Sequence, residues 1–184
     1  CSSDLSINTN AANGNKGIWL LDPYSLYINN ADSSIGTFAT DGTLPTSGYS
    51  KLNLNTLYTR LGTNTVSLTA TNDINLAAAF NYTGNASSLT LQAPTIVVSG
   101  NITSSNNALG LTIGKNDNSQ NLFLTGTSTI TSGNGNIVRY GNVGGAQALT
   151  LNSGSGTTSI NSATGGFSGT YWTGGTSITG SSST

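Results

Sequence analysis

Short apolar alternations recur along the chain between clusters of turn residues: Leu52-Leu54, Val66-Leu68, Ile74-Leu76, Leu89-Leu91, Ile96-Val98, Leu109-Leu111-Ile113, Leu122-Leu124, Ile137 and Leu149-Leu151. A period of two is the mark of a strand that buries one face. Thr-Asn, Ser-Gly, Asn-Asp and Gly-Asn pairs interrupt the alternation every few residues, the turn chemistry of a chain that bends after strands of ~3 to 5 residues. Leu68, Leu89, Leu109 or Leu111, Ile130 and Leu149 or Leu151 then follow one another at a spacing of about 20 residues, inside the window where a fixed period marks a solenoid. The predicted fold is all-β: a right-handed parallel β-helix (β-solenoid) of about 20 residues per coil and roughly eight coils. Inward residues would stack as Leu, Ile and Val columns, and Thr, Ser and Asn would form outer ladders.

Several segments break the rhythm. Residues 31 to 50, with Pro45 and several Gly and Ser, read as an excursion loop. Residues 114 to 121 read as a polar turn and 139 to 147 as a Gly-rich connection. The solenoid is expected over 1 to 170, with 171 to 184 a low-complexity tail that frays or joins a next segment. No capping helix is evident at either end.

Composition supports this picture and removes alternatives. Ser, Thr, Asn and Gly contribute 26, 29, 24 and 24 residues of 184, types that favour turns and exposed strand positions over helix interiors. Only five basic and six acidic residues are present, scattered singly, which provides no stripe for nucleic acid and no polybasic segment for lipid headgroups. Histidine, methionine and glutamate are absent, so imidazole bases and His-rich metal sites are excluded. No metal or other cofactor is expected. The single Cys1 cannot form an internal disulfide; Cys1-Ser2-Ser3 resembles the start of a mature bacterial lipoprotein, and a fragment boundary or an exposed thiol is the plainer account.

Candidate chemistry is sparse. The six aspartates lie far apart in sequence; stacking of coils could bring Asp22 near Asp41, or Asp32 near Lys51, the kind of cluster a polysaccharide-active β-helix lyase or hydrolase would need. Turn aspartates are the plainer account. Asn116-Asp117-Asn118 is the best oxygen cluster for calcium and holds one carboxylate. Asn81, Asn85 and Asn101 each begin an Asn-X-Ser/Thr triplet and are candidate glycan acceptors. Among Tyr24, Tyr27, Tyr49, Tyr58, Tyr171 and Trp172, the rings of Tyr49, Tyr171 and Trp172 are the candidate surface contacts for sugar faces. The run Thr125-Gly126-Thr127-Ser128-Thr129 raises an ice-binding alternative, which needs the same register over many coils.

Residues 17 to 28 read GIWLLDPYSLYI, residues 52 to 76 LNLNTLYTRLGTNTVSLTATNDINL, and residues 87 to 113 SSLTLQAPTIVVSGNITSSNNALGLTI. The Trp-Leu-Leu-Asp-Pro block resembles the WLxDP block of filamentous-haemagglutinin-like exoproteins, including the high-molecular-weight adhesins of two-partner secretion systems, and the later segments are similar to the coils that follow it. The resemblance covers roughly residues 17 to 113. It implies a secreted or outer-surface bacterial protein, exported through an outer-membrane transporter, that acts in adhesion, aggregation or toxin display, with a glycan or protein on a host or neighbouring cell as partner. The sparse chemistry of the residues adds the expectation that the chain is a structural rod and not an enzyme, and the lack of a capping helix the expectation that terminal coils pair head to tail into a fibre. The family's amino-terminal secretion module, with its Asn-Pro-Asn-type motif, is not found, so the chain reads as a segment downstream of it. Within the block, Trp19, Leu20 and Leu21 cannot all point inward from one strand.

Overall fold

Strand alternation places the aliphatic side chains on one side of each short segment, and the structure piles those sides on top of one another. The computed structural model describes residues 17–30, 49–105, 107–115, 120–144 and 147–161, and the backbone of 176–182. In chain order the elements are β1 (Ile18–Leu21), β2 (Ser25–Asn29), β3 (Tyr49–Asn53), α1 (Leu54–Thr63), β4 (Thr65–Thr69), β5 (Asp73–Leu76), β6 (Phe80–Tyr82) and β7 (Ser87–Gln92). They continue as β8 (Thr95–Val98), β9 (Ile102–Ser104), β10 (Leu109–Ile113), β11 (Asn121–Leu124), β12 (Ser128–Thr131), β13 (Ile137–Tyr140), β14 (Asn142–Gly144), β15 (Leu149–Asn161) and β16 (Thr176–Ser182).

Every described strand pair is parallel, and each strand lies beside its equivalent one turn away. The fold is a three-faced β-solenoid of about five turns. One face stacks β1, β4, β7, β10 and β13; a second stacks β3, β2, β5, β8, β11 and β14; a third stacks β6, β9 and β12. β15 bends across a corner, so its first half pairs β12 and its second half pairs β13, which joins the first and third faces into one sheet.

In-register pairing turns the alternation into columns. Leu26, Ile74, Ile96, Leu122 and Val143 stack along the second face, Phe80, Ile102, Ile130 and Leu151 along the third, and Val66, Leu89, Leu111 and Ile137 along the first. All of these side chains are buried. Full burial of a Leu or Ile contributes about 1.5–3 kcal/mol, so a slim column suffices to hold each coil to the next.

Two expectations are corrected in detail. The repeat is about 23 residues, giving about five turns and not eight. Successive residues of the Val66, Leu89, Leu111, Ile137, Thr158 column are 23, 22, 26 and 21 positions apart. The shorter figure arises because Leu68 and Leu89 lie on the first face whereas Ile130, Leu149 and Leu151 lie on the third. The Gly-rich stretch at 139–147 is also not a plain connection: Gly141, at φ +81°, turns the chain between β13 and β14. Of the expected excursion at 31–50, residues 49 and 50 open β3 and the remainder lies outside the described residues. In the serine-rich tail, β16 pairs with β15 and carries the parallel ladder to Ser182.

The corner between the third and first faces is built the same way four times. Tyr82, Ser104, Ser132 and Ser153 occupy one stacked position, and each donates its hydroxyl to the carbonyl three residues on, at Asn85, Asn107, Gly135 and Gly156. Each hydroxyl points inward and satisfies a carbonyl that the turn takes out of the ladder. The coils approach closely at this corner: a Cβ on Gly135 would strike the carbonyl of Leu109, and one on Gly156 the carbonyl of Gly135.

The first turn is where the chain departs from simple coiling. β3 returns to the outer side of β2, and α1 then climbs to β4. No helix was expected here, yet Leu54, Leu57 and Leu61 recur at helical spacing and are all buried. Asn53 caps the start by accepting from the Asn55 N–H at 2.7 Å, and Asn64 closes the end, its side-chain amide donating to the Arg60 carbonyl at 3.1 Å. The helix covers the last strand of the third face. Tyr58 stacks edge-on against Phe80 at 5.2 Å, and its hydroxyl accepts the Asn81 backbone N–H, an edge donor of β6, at 2.6 Å. A sheet edge is thereby covered by a helix. As the alternation requires, Ile18 and Leu20 point outward while Trp19 and Leu21 pack against the core; Arg60 lies over the Trp19 ring at 5.8 Å.

Replacing Gly135 by Ala should lower stability by about 1–3 kcal/mol, because the backbone of the neighbouring coil blocks the added methyl. Gly126→Ala, whose Cβ meets nothing within 4 Å, should stay within about 0.5 kcal/mol of the parent. Chemical denaturation of both variants followed by circular dichroism checks the contrast; equal stabilities would refute the close approach at this corner.

Candidate functional site

Outward positions on the second face would ordinarily be wet, yet its first turns bury a polar cluster. Ser25, Tyr49 and Asp73 begin β2, β3 and β5 at sequence intervals of 24 residues, so the register sets them side by side with Ser25 in the middle. Ser25 donates to Asp73 Oδ1 at 2.5 Å, Tyr49 donates to Asp73 Oδ2 at 2.6 Å, and Asn72 donates to Asp73 Oδ1 at 2.8 Å and to Ser25 Oγ at 3.2 Å. One carboxylate thus ties together three strands. Charge-assisted bonds of this kind are about twice as strong as neutral ones. Burial, followed by the bond to Asp73 and its negative charge, holds the Tyr49 phenol well above its ordinary range. Tyr27 meets the Tyr49 ring edge-on at 6.2 Å.

This cluster is built to hold strands. Asp73 already accepts three hydrogen bonds, and Tyr49, a candidate sugar-contact ring, has its hydroxyl committed to Asp73. Tyr58 is likewise engaged, with α1 packed on the third face; Tyr24 is exposed. Tyr171 and Trp172 lie outside the described residues. So do Asp32 and Asp41, and with them both suggested carboxylate encounters, as do Asn116, Asp117 and Asn118. Among the described residues the acidic side chains are Asp22, exposed at its turn, and Asp73; no group of three or more His, Cys, Asp or Glu is placed to hold a metal, and no helix is long and apolar enough to cross a membrane.

The three candidate glycan acceptors are brought to the outside of the third face and its corner. Asn81, Asn85 and Asn101 are all exposed. Asn81 stands in β6 beside Thr103, and Asn101 immediately precedes β9 on the next coil. Asn101 is engaged: its side-chain carbonyl accepts the Thr129 backbone N–H at 2.9 Å. The Thr125–Thr129 run crosses the rod and does not climb it, with Ser128 buried and Thr129 facing out beside Thr150. The outward column on the first face reads Leu20, Ser67, Thr90, Thr112, Val138, Ser159, so its hydroxyls hold register for three coils before Val138 interrupts them.

Sequence reasoning did not single out Arg139. It occupies an inward position between Ile113 and Ile160, 1% exposed, with its guanidinium donating to the Gly141 carbonyl; burial lowers its pKa to about 10. Nor did it find a cleft of about 270 Å³ at the corner between the first and second faces, lined by Thr69, Ala70, Gln92, Ala93, Pro94, Lys115 and Gln120. The Ser25, Tyr49, Asp73 cluster was in principle legible, since its members repeat at the coil interval.

The raised Tyr49 pKa carries a pH signature. The unfolded phenol ionises near pH ~10 and the folded one higher, so above that pH the folded state binds more protons and stability falls as pH rises. Tyr49's contribution is complete below pH ~10 and lost above it. Burial raises Tyr58 and Tyr82 as well, so alkaline destabilisation should persist but become shallower in Tyr49→Phe. That variant should also lose about 1.5–3 kcal/mol at neutral pH, the worth of a hydrogen bond to a charged group. Thermal melts from pH 7 to 11 test both; an unchanged alkaline slope would contradict the assignment.

Searched against protein-family models, curated proteins and solved structures, the chain matches none of them, so its activity has to be argued from its own residues.

Proposed function

We propose that this chain is a segment of a bacterial cell-surface or secreted adhesin, a stiff rod whose outward residues make the contacts and whose backbone carries the load. The observation that supports this reading most directly is the continuous parallel ladder. Successive coils are joined by backbone hydrogen bonds on all three faces, and the corner between the third and first faces is closed by inward hydroxyls, so the main chain forms a continuous axial scaffold over the described coils. Such a scaffold presents equivalent outer positions at a rise of ~4.8 Å per coil. Weak contacts repeated at fixed spacing gain avidity whenever several engage together, and no catalytic residue is needed for this.

The WLLDP block and the coils after it supply the second support, through their resemblance to filamentous-haemagglutinin-like exoproteins. In that reading the partner is a glycan or protein on another cell, export uses an outer-membrane transporter, and copies associate head to tail. The exposed Ile18, Leu20 and Tyr24 around β1, the terminal strand of the first face, favour a contact at that end. The helix α1 confines it by covering the neighbouring edge of β6.

Beads coated with the full chain should adhere to cells far more strongly than the soluble chain competes, and electron microscopy of the native material should show thin rods or fibres. Release of reducing or unsaturated sugar ends from polysaccharides by the purified chain, lost in Asp73→Asn or Asp22→Asn, would overturn the reading in favour of an enzyme. Beads that fail to adhere to any cell type would overturn it also.

A further inference from the structure

The corner cleft has the features of a small binding site, and the solenoid explains how it forms. Thr69 and Gln92 are register partners at the ends of β4 and β7, and Ala70 and Ala93 follow them at the same corner one coil apart. Both alanines are buried, and the Ala70 N–H donates to the Gln92 carbonyl at 2.9 Å, so they form a fixed, shallow floor. In the next coil the corner begins with Gly114, at φ +91°, whose N–H donates to the Leu91 carbonyl at 2.9 Å. The two alanines, one coil apart at this corner, leave a hollow that larger side chains would fill.

The walls are polar. Thr69 and Gln92 stand on one side; Lys115 and Gln120 stand on the other, and Gln120 is only 6% exposed. Gln120 is held in place, since its Oε1 accepts the Lys115 backbone N–H at 2.6 Å. Pro94 completes an apolar ledge with the two alanines.

This lining discriminates among ligand classes. Among the described residues no carboxylate lines the cleft, so these residues offer a divalent cation no hard anionic ligand. One ammonium with no helix terminus offers little to a phosphate. Four of the seven lining side chains, Thr69, Gln92, Lys115 and Gln120, are polar, and an acyl chain would leave them without partners. Two amides and a hydroxyl above an apolar floor provide paired donors and acceptors for hydroxyl groups together with a surface for C–H faces, the mixture a polyol requires. The volume of about 270 Å³ gives space for one ring.

We infer that the cleft formed by Thr69, Gln92, Lys115 and Gln120 over Ala70 and Ala93 holds a single neutral pyranose residue of a surface glycan. The inference takes its partner class from the adhesin reading and gives that reading a specific contact site. A single ring held by three or four hydrogen bonds binds weakly, and display on a rod or bead surface is what makes such a site effective.

The test titrates the isotope-labelled full chain with methyl glucoside, methyl galactoside, methyl mannoside and N-acetylglucosamine, with glucuronate and inorganic phosphate as charged probes, and follows amide shifts by NMR. The expected result is saturable shifts at Ala70, Ala93 and Lys115 and in the Gln120 side-chain amide with at least one neutral sugar. Thr69→Val and Gln92→Ala, both at strand ends facing out of the core, should each weaken binding by about tenfold, one good hydrogen bond's worth, with the circular dichroism spectrum unchanged. No saturable shift at these residues with any neutral sugar, saturation only with the charged probes, or affinities untouched by both variants would each overturn the inference. The bead assay separates the two claims: adhesion with a silent cleft removes this site and leaves the adhesin reading, whereas sugar binding without adhesion does the reverse.

Discussion

The parallel backbone ladder between successive coils is the constraint on which the other features depend. A chain with 11 charged residues and more than half its length in Ser, Thr, Asn and Gly has little apolar surface to bury. It folds because each coil offers its N–H and C=O groups to the coils above and below, and because the pairing is in register. Registration is what stacks Leu on Leu and Ile on Ile, and those columns in turn make the ladder dry enough to persist.

Every coil must therefore turn three corners without losing step. The chain meets this locally, with the same device at one corner: an inward hydroxyl on Tyr82, Ser104, Ser132 and Ser153 that takes up the carbonyl three residues later. Tyrosine at the first position and serine at the other three show that the hydroxyl is the common requirement and that the space around it differs. Seven residues separate β10 from β11 where two separate β7 from β8, and Ile96 and Leu122 are nonetheless in register.

The first described turn is braced on two faces. A solenoid's terminal strands are its exposed edges, and here two separate devices act on them. The carboxylate of Asp73 joins β2, β3 and β5 through Ser25 and Tyr49, and α1 lies over β6 with the Tyr58 hydroxyl on an edge N–H. Toward the other end the interior becomes more polar: Arg139 and Thr158 stand in columns that are aliphatic in earlier coils. A rod braced in this graded way suits the surface-display role proposed for it, with the corner cleft as a point of contact.

Alternation alone determined which side of each short strand faces the core and that Trp19 and Leu20 point to opposite sides, because a period of two fixes side-chain direction whatever the register; the parallel stacking was legible only through the recurrence of the pattern along the chain. The helical spacing of Leu54, Leu57 and Leu61 behind the Asn53 cap was equally present in the sequence, but Leu52 and Leu54 read as one more strand because two residues cannot distinguish the periods. What only the tertiary structure decided is which coil lies beside which. The offset between stacked residues varies from 21 to 28 along the regular coils and reaches 48 where β3 and α1 intervene, so the contacts of Asp73 with Ser25 and Tyr49, the inward seat of Arg139 and the hollow over Ala70 and Ala93 follow from corner lengths. Those lengths are set by turn geometry and by how closely backbones approach at residues such as Gly135, quantities that side-chain patterning does not encode.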